Sequence, residues 1–276
     1  MKKDHTILID KEKCIGCGLC VGDCPASNIQ LISKKASNEK QASNEKKTTN
    51  EKKASIIEQN CIMCGHCVAI CPKGAVSMTG FDEPPVEIQA PTRLDPDTLL
   101  AAIRTRRSIR KFTGRQVEPE SIKKIIEAGR LTPTGGNAQD VSFVVLKNRI
   151  DLFEQAAVSL FRRLLPMMKL VNPIARRTVI DDHFFFKKAP VAVVIIARDE
   201  IDGALAASNM ALMAEACGLG VLYSGFFALA ANHSRALKRM LKLKRDEKVV
   251  TTLVLGYSAV TYRRTAQKEA AKVRYQ

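Results

Sequence analysis

Residues 14–25 read CIGCGLCVGDCP, and residues 61–72 read CIMCGHCVAICP. Each run spells C-x2-C-x2-C-x3-C-P, and together they hold eight of the chain's nine cysteines. In a reducing compartment, cysteines clustered in this way argue for metal rather than disulfides. Three thiolates on one tight loop can cap three corners of an iron–sulfur cubane. The fourth lies on a following helical turn that points away, towards a second site. Gly16, Gly18 and Gly65 let the backbone turn closely around inorganic sulfide. Zinc is the alternative. It favours C-x2-C pairs, but requires neither a third cysteine at x2, a fourth at x3, nor a repeat of the whole.

The runs resemble those of bacterial ferredoxins over residues 5–80, in which the fourth cysteine of each run serves the other cluster. The resemblance implies two [4Fe–4S] clusters. Cys14, Cys17, Cys20 and Cys71 would hold one; Cys61, Cys64, Cys67 and Cys24 would hold the other. His66 lies inside the second run, but all eight thiolates are present without it. It reads as an exposed neighbour rather than a Rieske-type ligand.

Between the runs, KASNEKQASNEKKTTNEKKAS (residues 35–55) repeats with a period of six and has no apolar side chain larger than alanine. Such a segment has no face to bury, so 33–55 reads as a low-complexity insertion, either a surface loop or a lysine-rich docking tether. FDEPPVEIQAPT (81–92) is proline-rich and aperiodic, which marks a linker over 81–93. The division is therefore a ferredoxin-like domain over 1–80, the linker, and a larger domain over 94–276.

Beyond the linker the pattern mixes helix and strand. Asp95-Pro96 starts a helix with Leu99, Leu100 and Ile103 on one face; Pro119 starts another, with Ile122, Ile125 and Ile126 inward. Residues 141–146, 189–197 and 249–258 are β-rich strands, and 201–220 is a long alanine-rich helix, buried centrally or against a partner subunit. RTRRSIRKF (104–112) packs arginines around a serine, which suits a phosphate's oxygens or, equally, a solvated basic stretch. TPTGGNAQ (132–139) is a small-residue loop that can approach a flat heteroaromatic ring while Asn137 and Gln139 bond its polar edge. YSGFF (223–227) is a second tight turn, and YRR (262–264) supplies late cations.

These four places, in this order, resemble the nitroreductase family of FMN enzymes over 94–264. The resemblance implies an α+β fold, a nitroreductase-like α/β sandwich, usually an intertwined homodimer with FMN at the subunit interface. Arg106, Arg107, Ser108 and Arg110 would contact FMN; Pro133, Thr134, Gly135 and Gly136 would line its ring, with Asn137 and Gln139 at its edge. The amides of Ser224 and Gly225 would face the N5 side. Arg264, with Arg263, would complete the phosphate clamp. Two features depart from the family. Asp140 and Val141 stand where Pro-Trp often follows the glutamine, and residues 160–186 match no family pocket. Phe184, Phe185 and Phe186 there read as core in preference to a lid, and Cys217 as a small buried hydrophobe.

The functional expectation joins the halves. Two clusters feed electrons to FMN, which reduces a nitroaromatic, quinone-like or other electron-poor small molecule. Other reactions of the superfamily, or a non-catalytic electron carrier or redox sensor, are the rivals. The donor is NAD(P)H or an acidic ferredoxin or flavodoxin. The formal charge of +16 over 276 residues falls to about +10 once clusters and flavin are counted, and a basic surface suits such a carrier. No zinc-finger, RNA-recognition or basic-zipper signature accompanies that charge, so no nucleic acid is expected. MKKDHTILID lacks the apolar stretch of a secretory signal, and APVAVVIIA (189–197) is too short to span a bilayer. A soluble cytoplasmic protein is expected.

Overall fold

The computed structural model describes residues 5–33, 52–57, 61–90, 93–171 and 173–276. The chain forms two compact units, one comprising residues 1–92 with 136–138, the other 93–135 with 139–276.

The first unit is two copies of one small pattern. Strand β1 (Ile7–Ile9) is followed by the first cysteine loop, the short helix α1 (Leu19–Gly22) and strand β2 (Ile29–Ser33). Strand β3 (Lys52–Ile56), the second loop, helix α2 (His66–Ala69) and strand β4 (Val76–Met78) repeat it. β1 pairs antiparallel with β4, so the unit's first and last strands close on each other; β2 pairs antiparallel with β3. Both short helices start from a glycine in the left-handed region, Gly18 and Gly65. Most of the hexad repeat lies outside the described residues. Its last part does not behave as an insertion: Lys52–Ile56 is a strand, and Ala54 is buried. Alternation explains this, because the small Ala54 turns inward between Lys53 and Ser55, which stay half-covered.

The second unit begins with helices α3 (Pro96–Thr105) and α4 (Pro119–Arg130) and strand β5 (Ser142–Leu146). Helices α5 (Ile150–Val171) and α6 (Pro173–Arg177), strand β6 (Val191–Ala197) and helix α7 (Glu200–Ala216) follow. Strand β7 (Gly220–Tyr223), helices α8 (Gly225–His233) and α9 (Arg235–Met240) and strand β8 (Lys248–Gly256) complete it. The sheet runs β5-β6-β8-β7, antiparallel throughout. Every residue of β6 is buried, because both faces of the sheet are covered. Val191, Val193 and Ile195 face a core built with α4 and α7; Ala192, Val194 and Ile196 face one built with α5, α8 and α9. This is an α/β/α sandwich, and a continuous apolar run is what a doubly covered strand requires.

Side-chain size sets the spacing of the first layer. A Cβ on Gly129 of α4 would stand 2.7 Å from the Met210 sulfur of α7, so glycine there lets the two helices approach. Phe185 and Phe186 are core, wrapped by Phe161 and Phe227. Cys217 is half-buried against the α4/α7 layer. Asp95 caps α3, accepting from the Thr98 amide at 2.8 Å. That helix's apolar face stays bare: Leu99, Leu100 and Ile103 are all exposed. Among the described residues no helix is long and apolar enough to cross a membrane.

Candidate functional site

Two small hollows lie in the first unit. The first is lined by Cys14, Cys17, Cys20 and Cys71, the second by Cys61, Cys64, Cys67 and Cys24. Each therefore takes three cysteines from one run and the fourth from the other. The crossing follows from local structure: α1 and α2 carry Cys24 and Cys71 past their C-termini, away from their own loops. Among the described residues, no three His, Cys, Asp or Glu side chains converge tightly enough for a single ion. Four thiols spread around a hollow suit a polynuclear centre better than zinc, whose four ligands sit close to one atom.

Backbone amides point at the sulfurs in both halves, and those of Asn28 and Ala75 do so with the same four-residue offset. Asn28 donates to Cys24 Sγ and Ala75 to Cys71 Sγ, each at 3.2 Å. Ala54 donates to Cys14 Sγ and Met63 to Cys61 Sγ, both at 3.4 Å. Burial pushes the Cys67 thiol up to about 11, and burial followed by the neighbouring Cys14 and Cys17 raises Cys20. Thiols so disfavoured as bare anions become thiolates when a metal centre supplies the countercharge. His66 is exposed and lies 3.5 Å from Asp23.

In the second unit the arginine segment lies at the sheet's β7 edge, whereas the 132–139 loop leads into β5 at the opposite edge. Ser108 bridges in parallel to Val221 of β7, and Ile109 donates its amide to Val221 O at 3.0 Å. The arginine segment is thus fixed as an extra edge strand, and Gly220 leaves room for Ile109 against it. Arg106 is half-buried, and its Nη1 is a buried nitrogen with no hydrogen-bond partner. Such an atom is costly unless an acceptor meets it, and a cofactor phosphate or ring carbonyl would do so. The site thus fits an anionic or carbonyl-bearing group. Arg107 lies over the Tyr262 ring at 5.7 Å, which brings the late segment to the same place, whereas Arg110, Arg263 and Arg264 point to solvent as exposed residues.

The small-residue loop is held partly by its own side chains, and Asn137 donates its side-chain amide to the carbonyls of Ile62 and Met63 at 3.0 and 2.9 Å, so that amide is already committed. Thr134 Oγ1 accepts the Gln139 amide at 3.0 Å, and Gly136, Asn137 and Gln139 all take positive φ. Pro133, Gly135, Gly136 and Gln139 are exposed, with Thr134 and Asn137 half-covered. The expectation for the Ser224 amide needs correction. It donates to Thr252 O at 2.8 Å, because the β7–β8 ladder continues one residue past β7. The Gly225 amide, in the first turn of α8, is not committed in that way, since the first amides of a helix lack intrahelical acceptors. Asp140 Oδ1 and Thr252 Oγ1 are two further buried oxygens without partners.

Sequence reasoning missed the anchors of this loop. Asp202, buried on α7, accepts the Gly135 amide at 2.9 Å, and Asn209 of the same helix donates to Thr132 Oγ1 at 2.8 Å. An acidic residue in a first helical turn ordinarily answers the helix dipole, so nothing local distinguished Asp202. Tyr223 donates its hydroxyl to Ala207 O at 3.1 Å, tying β7 to α7; burial raises its pKa and the Arg106 charge opposes that rise.

The comparisons with known proteins agree with both units. The nitroreductase family pattern matches residues 103–257, and a 4Fe-4S dicluster domain pattern matches residues 6–72. A protein of Archaeoglobus fulgidus, named as a candidate NADH dehydrogenase/NAD(P)H nitroreductase, is 30% identical over 57% of this chain and 84% of its own. A protein of the same name from Methanothermobacter thermautotrophicus is 26% identical over 58% and 78%. The solved nitroreductase with bound FMN from Bacteroides fragilis superposes with a TM-score of 0.53 at 21% identity, covering 64% of this chain and 98% of that one. The chain therefore belongs to the nitroreductase family of oxidoreductases and carries a 4Fe-4S domain at its N-terminal end.

Proposed function

We propose that this chain is an FMN-dependent oxidoreductase in which two [4Fe–4S] clusters, one on each crossed cysteine quartet, supply electrons to FMN for reduction of an electron-poor small molecule. When bound, the clusters carry electrons singly and the flavin gathers a pair for the acceptor. The observation that carries the reading is the buried, unpartnered Nη1 of Arg106 in a chain that also holds two four-cysteine hollows.

The residues have distinct tasks. Arg106 and Arg107 hold the cofactor's phosphate end, with Arg263 and Arg264 reaching it from the late segment. Ser108 and Arg110 lie along the same edge, and residues 133–137 with Gln139 form the ring's bed. Gly225, rather than Ser224, offers the amide at N5. A nitroaromatic or quinone-like acceptor fits this chemistry, and protons come from solvent. The names of the two archaeal relatives support NAD(P)H as one donor, and the basic charge supports an acidic ferredoxin or flavodoxin as another. The bare apolar face of α3 supports a homodimer. Free cysteines throughout support a reducing cytoplasmic setting.

Anaerobic purification with absorbance and iron counting tests the proposal. One FMN and about eight irons per chain are expected. Arg106→Ala should lose flavin while keeping its iron. Iron without flavin in the unmodified protein would instead leave an electron carrier, and loss of both groups in the variant would contradict separate cofactor sites.

A further inference from the structure

The two quartets have different surroundings. Around the first, Lys73 lines the hollow, Lys53 Nζ donates to Cys14 O at 2.7 Å, and Lys11 Nζ donates to Ala54 O. Gly16 of the same loop packs directly on the backbone of Lys52, whose side chain is exposed. Among the described residues, the second hollow is lined by no lysine or arginine, and its polar lining, apart from the cysteines, is Asn28 and His66.

Exposure differs in the same sense. Cys17 is exposed, and the flanking Ile15 and Leu19 are 59% and 46% exposed. In the second quartet Cys67 is buried and Cys24, Cys61 and Cys64 are intermediate. The carboxylates near the first quartet are mostly engaged. Asp23 faces His66, and Asp10 pairs with Lys13 at 3.4 Å while accepting the amides of Glu12 and Lys13. Glu12 is exposed.

We propose that the Cys17 edge is the docking port for an acidic one-electron carrier protein, with Ile15 and Leu19 as the dry contact and the lysines around them as the steering rim. This rests on the reading that the first unit feeds the flavin. A small apolar centre with a charged rim is the pattern of a fast, transient complex rather than a permanent one. The exposed Cys17 sulfur can be approached directly by a donor, whereas the second quartet has no exposed cysteine. Each docking would pass one electron from the carrier to the group that Cys14, Cys17, Cys20 and Cys71 would hold. Two dockings supply the pair which, with two protons from water, reduces the acceptor by two electrons.

The test uses anaerobic holoenzyme with reduced flavodoxin as the probe, and follows both its oxidation rate and the affinity of its oxidised form. The double variant K52E/K73E is compared with K238E/K242E, which changes net charge equally on α9 and the turn after it. The port predicts that K52E/K73E slows association on the order of tenfold at low salt, with the difference fading as salt screens it. The α9 pair should stay within about twofold of the unmodified protein. Equal effects of the two pairs, or none from K52E/K73E, would overturn the proposal. Carbodiimide cross-linking of flavodoxin to unmodified holoenzyme gives an answer independent of any variant. Links at Lys11, Lys52, Lys53 or Lys73 support the port, and links confined to residues 93–276 overturn it. Failure of reduced flavodoxin to reduce flavin faster in iron-loaded than in iron-free protein would sink the relay instead, and the binding and cross-linking results would still decide the port.

Discussion

Asp202 and Gly135, sixty-seven positions apart, are joined by a 2.9 Å hydrogen bond from the glycine amide to a carboxylate that is only 6% exposed. With Asn209 holding Thr132, helix α7 anchors the small-residue loop at two points. The loop is therefore set in place before any ligand arrives, which lowers the ordering cost of binding. Asp202→Ala leaves the Gly135 amide without its acceptor, a loss of about 1–3 kcal/mol. Flavin affinity, read from fluorescence during titration of the apoprotein, should fall by roughly ten- to a hundredfold. Asp202→Asn keeps an acceptor and should recover most of the loss, with iron content unaltered in both.

The crossed quartets make a spectroscopic claim. Cys71→Ala should perturb the same paramagnetic centre as Cys17→Ala, and Cys24→Ala the same one as Cys64→Ala. Electron paramagnetic resonance of the partly reduced protein distinguishes this from a pairing within each run. Matching of Cys24 with Cys17 would contradict it.

Gly16 and Gly74 allow a matched comparison. Both have positive φ, 67° and 56°. A Cβ on Gly16 meets the carbonyl of Lys52, whereas one on Gly74 meets open space. Gly74→Ala should cost about 1–2 kcal/mol, the ordinary penalty of the left-handed region. Gly16→Ala should cost more, because β3 must also shift, and should release iron faster under chelator challenge. Equal losses would mean that β3 yields freely.

Glu154 sets a pH dependence. It is buried on α5 and accepts the amides of Phe185 and Phe186 at 2.9 and 2.6 Å, with His183 at 3.4 Å. Burial outweighs these bonds and raises its pKa above the ordinary carboxylate value. The folded state then holds a proton that the unfolded chain has released, so this contribution is full below the unfolded pKa of about 4.3 and is lost as pH rises through the folded one. Glu154→Gln should flatten the fall in thermal midpoint over that window, measured by circular dichroism. An unchanged slope would show that Glu154 binds protons equally in the folded and unfolded states.

Much of this was legible in the residues. β6 could be found from its unbroken apolar run, and α4 from Pro119 with its isoleucines, because those signals are local and strong. The hidden parts depend on distant partners. Lys52–Ile56 reads as polar repeat because the strand opposite it, β2, lies beyond the repeat itself. The Ser224 amide is taken by Thr252, a neighbour that only the sheet register supplies. Asp202 acts on a loop in another part of the chain, and no pattern around it announces that. The apolar stripe of α3 was readable; that Leu99, Leu100 and Ile103 stay exposed among the described residues was not.

The interior of the first unit has a further consequence. Among the described residues, three of the seven buried apolar side chains of its core are cysteines: Cys14, Cys20 and Cys67. A domain this small gains little from ordinary packing and commonly depends on staples. Because each hollow borrows a wall from the opposite half, inserting metal sews the two halves together with inorganic thread. Folding and iron loading of this unit should then be a single event, and oxidative damage to either centre should unravel both.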